Sequence, residues 1–92
     1  MQDHYTFDIS DCYSPEDIHE VIKASFDLPM YYGGNLDALH DVLTEINYTA
    51  DIEFTGCAQA SAIIGAKYIR SLKKMCGDAA KENSKLAISF KD

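Results

Sequence analysis

Three short stretches of alternating apolar residues, set apart by long helical runs, constrain this chain more than any other feature. "HYTFDIS" (4–10) places Tyr5, Phe7 and Ile9 on one side. "TADIEFT" (49–55) does the same with Ala50, Ile52 and Phe54, and "KLAISFK" (85–91) with Leu86, Ile88 and Phe90. A period of two marks strands that bury one face. Helices are predicted over 15–26 and 36–45, and residues 57–82 are helical in character. Gly65 splits that last region into a short helix and a longer one, and Gly77 predicts an irregularity near the end of the longer. The order is β-α-α-β-α-α-β. Helical crossovers between successive strands favour a parallel sheet with right-handed connections. The expected fold is therefore α/β: a single small domain spanning 1–92, with a three-stranded parallel sheet packed by about four helices. Phe7, Ile52, Phe54, Ile88 and Phe90 are expected to face the helices.

The helix stripes support this. Ser14 suits an N-cap, Pro15 the first helical position, and Glu16 and Asp17 the positive end of the helix dipole. Ile18, Val21, Ile22, Ser25 and Phe26 follow the spacing of a buried face. "DLPMYYGG" (27–34) reads as a loop, and Asn35 as the cap of the second helix. Leu36, Leu39, Leu43 and Ile46 form one stripe of that helix; Asp37, His40, Asp41 and Thr44 form roughly the opposite one. Ile69, Leu72 and Cys76 give the longer C-terminal helix an apolar side.

Composition narrows the function. The chain has 92 residues, enough for one modest core but not for a deep cleft around a large cofactor. No apolar run approaches the length of a membrane span, and the N-terminus lacks the pattern of a signal peptide, so a cytoplasmic location is expected. Cys12, Cys57 and Cys76 lack C-x-x-C spacing and read as reduced, mostly buried thiols. The net charge is −7. Residues 1–46 hold ten acids against one base (Lys23), and residues 47–92 five acids against seven bases. Such a field repels nucleic acid and attracts basic partners, although a solvated acidic face is also common.

The densest chemistry lies in "YYGGNLDALHD" (31–41). Asp37 and Asp41, one helical turn apart, repel each other. Asp37, His40 and Asp41 offer metal-ligand types, but no distant third ligand or H-E-x-x-H accompanies them, and no metal or other cofactor is expected. As a general acid–base pair on an exposed helix face, the carboxylates would be well solvated. A small metal-dependent hydrolase is the enzyme reading of these residues; the expected answer is that the chain is not an enzyme. A protein interface makes better sense of the repulsion, because a basic partner relieves it. Tyr31 and Tyr32 are amphipathic side chains suited to interface anchors, or else half-buried core residues.

At this stretch the chain resembles the barstar family, intracellular inhibitors of ribonucleases such as barnase. "LPMYYGGNLDALHDVL" (28–43) is similar to the family segment L-P-x-Y-Y-G-x-N-L-D-A-L-W-D-x-L at nearly every position. The rest of the chain agrees in length and element order more than in identity. The resemblance implies an inhibitor whose second helix and preceding loop plug a ribonuclease active site. By motif position, Tyr31, Gly33, Asn35, Asp37, His40, Asp41 and Thr44 would form the partner-binding surface. Asp41 would be central, taking the place of an RNA phosphate. Counting back from the final strand, Asp78 falls where the family has a further acid, although its flanking residues do not match. The implied partner is a basic ribonuclease or related toxin, bound by a free monomer, with no direct binding of nucleic acid or membrane. Two positions depart from the family. His40 stands between the aspartates in place of a Trp, and Ile46 stands where a second Trp is usual; the chain has no Trp at all. These losses suggest a differently shaped target, or a fold kept as an adaptor for a non-nuclease partner.

Overall fold

The computed structural model describes residues 3–26 and 32–92. Its elements run β1 (Asp3–Asp8), α1 (Pro15–Ser25), α2 (Leu36–Thr44), β2 (Ala50–Thr55), α3 (Cys57–Ile64), α4 (Ala66–Glu82) and β3 (Leu86–Phe90). Three parallel strands form the sheet in the order β1-β2-β3, with Phe7 level with Phe54 and Phe54 level with Phe90. The expected α/β fold, a three-stranded parallel sheet with four helices, is what forms.

Alternation in the strands decides which face is buried. Phe7, Ile52 and Phe54 are almost wholly buried and join Ile18, Ile22, Leu39, Leu43, Ile69 and Leu72 in one core. Each such side chain stabilises the fold by roughly 1.5–3 kcal/mol relative to exposure. The ring of Phe7 meets Phe54 edge-on at 5.2 Å, and Phe54 stacks on Phe90 at 4.9 Å. The intervening strand residues, among them His4, Thr6, Asp51, Glu53 and Ser89, are exposed or only partly buried. The sheet thus hides one face, which explains why its strands alternate instead of running continuously apolar as in sheets covered on both sides. Ile88 and Phe90, expected in the core, are only partly buried and pack against its margin.

Local signals fix the element ends. The Ser14 hydroxyl accepts from the Asp17 N–H and caps α1, and Asp17 Oδ2 accepts from the Tyr13 N–H at 2.9 Å, one residue before the cap. Gly56 lies at φ +75°, and a Cβ there would sit 2.5 Å from that of Ser10, so only glycine fits between β2 and α3. Gly65, at φ +119°, separates α3 from α4. Gly77 is no irregularity: α4 passes through it unbroken, with open space where a side chain would be. Ser25 is exposed, outside the buried stripe of α1. The three cysteines are free and buried. Burial raises all three thiols, Cys76 to about 12, which keeps them inert at neutral pH. Among the described residues no helix is long and apolar enough to cross a membrane.

Candidate functional site: the face of α2 and α4

The face starts with the cap of α2. Asn35 is extended (φ −133°, ψ 172°), and its Oδ1 accepts the Ala38 N–H at 2.8 Å. A Cβ on Gly33 would press to 3.2 Å of the Asn35 amide, so the glycine leaves room for the cap. Asp37 follows in the first turn, where the helix dipole favours an acid. Leu39 and Leu43 are buried under the helix, while Asp37 and Asp41 are exposed, the Asp41 side chain by 80%.

The C-terminal end of α2 is tied to α4. Asn83, the C-cap of α4, donates from Nδ2 to the carbonyls of Leu43 (3.0 Å) and Ile46 (2.8 Å). One amide thereby ties the last turn of α2 and the residue beyond its cap to α4. Between the helices lies an open groove of about 370 Å³. Leu36 and Met75 line it together with Asp37, His40, Lys74 and Asp78. Asp78 is paired with Lys74 at 3.4 Å. It stands on the α4 side of the groove, opposite Asp37 and His40. Asp41 lies one turn beyond Asp37, and Thr44 donates its hydroxyl to the Asp41 carbonyl at 3.1 Å, within its own helix. Tyr31 lies outside the described residues.

Two features escape sequence reasoning. His40 turns to α4: its Nε2 is 2.7 Å from Glu82 Oε2, and its Nδ1 is 3.9 Å from Asp41 Oδ1. Glu82 thus becomes a fourth carboxylate of the face; its one-turn spacing from Asp78 was the available signal. The second feature lies behind the loop. His19, 3% exposed, bonds through Nδ1 to the Tyr32 hydroxyl and through Nε2 to the Tyr68 hydroxyl at 3.0 Å. Burial pushes His19 down, partly opposed by Glu16 and reinforced by Lys23, and raises Tyr32 to about 12. Tyr32 is partly buried, packed against the core and hydrogen-bonded to His19, as the core alternative of the sequence reading has it.

Chemically, the face presents carboxylates on two braced helices around a shallow groove. Among the described residues no group of three or more His, Cys, Asp and Glu side chains is placed to hold a metal ion. The geometry thus defines a small parallel α/β domain with an acidic face on two helices. The chain matches the barstar family of barnase inhibitors over residues 2–91 and belongs to it. That family consists of inhibitors and not of enzymes, and its members bind ribonucleases. No curated protein matches the chain significantly.

Proposed function

We propose that this protein inhibits a basic ribonuclease or related toxin by covering its active site with α2 and the loop before it. The observation that carries this reading is the acidic face of α2 and α4: Asp37 and Asp41 are exposed on α2, Asp37 and Asp78 line one groove, and Glu82 reaches His40 from α4. An enzyme that cleaves RNA gathers cations where phosphate binds, and carboxylates held at matching positions substitute for that phosphate. In this reading Asp41, whose side chain is 80% exposed, takes the central position; Gly33, Asn35, His40 and Thr44 shape the face around it, and Tyr31 is assigned to it by motif position alone. Binding occludes the site and needs no cofactor. Encounter is fast at low salt and slows as salt rises, since charge steering fades over about 8–10 Å at physiological ionic strength.

The test is an inhibition screen of barnase and other small guanyl-preferring ribonucleases, with Asp37→Ala and Asp41→Ala as controls. Inhibition by the parent that weakens in both variants supports the reading; a parent with no effect on any enzyme overturns it. The inward turn of His40, where the family has Trp, favours one second reading: an adaptor for a non-nuclease partner. A pull-down returning only non-nuclease proteins would favour it.

A further inference from the structure

We infer that β1 pairs with β1 of a second copy of this chain, antiparallel and centred on Thr6, so that the two sheets join into one. The sheet order leaves β1 at an edge, and among the described residues no strand lies beyond it. The ladder shows which groups face outward. Asp3 and Ile9 donate their N–H groups to the carbonyls of Thr49 and Thr55, on the β2 side. Alternation then turns Tyr5 and Phe7 to β2 as well, and leaves the N–H and C=O of His4, Thr6 and Asp8 pointing out. All three residues are exposed, on the sheet face opposite the core.

Such an edge is a template for another strand, and β1 complements itself. About a two-fold at Thr6, His4 lies opposite Asp8 of the second copy, Thr6 opposite Thr6, and Asp8 opposite His4. In each pair the outward groups face each other and exchange two backbone hydrogen bonds, about six in all. No acid meets an acid, because Asp3 falls opposite Ile9. An in-register parallel arrangement would instead set Asp3 beside Asp3 and Asp8 beside Asp8, which repel. On the helical side the partly buried Tyr5 falls opposite Phe7, so the row of Phe90, Phe54 and Phe7 continues across the join.

The other edge is guarded. The outward groups of β3 include those of Ile88 and Phe90, and the antiparallel register that overlaps the whole strand sets Lys85 opposite Lys91 at both ends. β1 carries no lysine or arginine. The pairing therefore closes as a two-fold dimer and does not propagate. α4 packs on β3 and on α2, toward the far end of the sheet, so the acidic face stays open in both copies. Pairing at β1 is thus independent of inhibition at α2.

Sedimentation of the full chain across two decades of concentration should move the parent from the monomer mass toward twice that mass. Thr6 and Ser89 are both exposed and flank Glu53, one on each side, so a lysine at either adds the same charge beside the same carboxylate. Only Thr6→Lys also sets two ammonium groups together on the two-fold. Thr6→Lys should raise the dimer dissociation constant about fivefold or more, and Ser89→Lys should leave it unchanged. Hydrogen exchange at the amides of His4, Thr6 and Asp8 should slow as the parent is concentrated. Thr6→Lys should still inhibit as the parent does in the ribonuclease screen, so the pairing and the inhibitor reading fail separately. A parent that stays monomeric throughout, a dimer that both lysine variants weaken equally, or one that Thr6→Lys leaves intact overturns the pairing.

Discussion

The two histidines of the helical layer show one side chain put to opposite uses. His19 is sealed in the interior between two tyrosine hydroxyls. His40 stands at the rim of a groove between two carboxylates. Neutral partners and burial keep the first ring uncharged, so it serves the fold. The second ring bridges α2 to a carboxylate of α4 beside open solvent, so it serves the surface. A histidine's role here follows from its neighbours and its access to water.

The comparison is broken most sharply on the exposed side. Asp41→Ala should weaken ribonuclease inhibition by about 3–5 kcal/mol, because it strands enzyme cations in a buried interface. Its urea midpoint should hardly move, since the carboxylate is solvated in the free protein. Unchanged inhibition constants would remove Asp41 from the interface.

The buried side answers to stability. His19→Leu leaves two tyrosine hydroxyls without their partner and should cost roughly 2–4 kcal/mol in urea unfolding. The pH dependence has a definite sign. Burial holds His19 below its ordinary 6.5, so the folded chain takes up that proton less readily than the unfolded one. This contribution is intact above about 6.5 and is lost as pH falls from there through the depressed folded value. His19→Leu should flatten that slope, and an unaltered slope would assign it elsewhere.

Smaller effects sharpen the contrast. Asn35→Ala removes the cap of α2 and should cost about 1 kcal/mol of stability. Glu82→Gln loosens the bridge to His40, and because both groups are substantially exposed, unfolding free energy should change by less than about 1 kcal/mol. A larger loss would mean that the bridge supports the fold.

The sequence revealed elements through their periods and missed what joins distant residues. The strands and helices were legible because their apolar residues repeat at two or at three to four. Strand ends were not. β1 stops at Asp8 because that carboxylate accepts both the N–H and the hydroxyl of Ser10 and turns the chain, while Ile9 stays buried all the same. Asp37 and Asp41 could be placed on the open side of α2 because Leu39 and Leu43 define the other side. The inward bond of His40 could not, since Glu82 comes near only when α4 packs on α2. His19 was hidden for the same reason. It sits beside the apolar spacing of α1, and its partners at 32 and 68 meet it only in the folded chain.

The parallel arrangement of the strands has a consequence for how the acidic face comes into being. Every strand pairing spans two helices, so no neighbouring pair of elements makes a hairpin that could form early by itself. The brace that ends α2 comes from Asn83, three residues before the last strand. Helix, brace and sheet are thus bound into one cooperative event, and the acidic surface acquires its shape only once the C-terminal strand has closed the sheet.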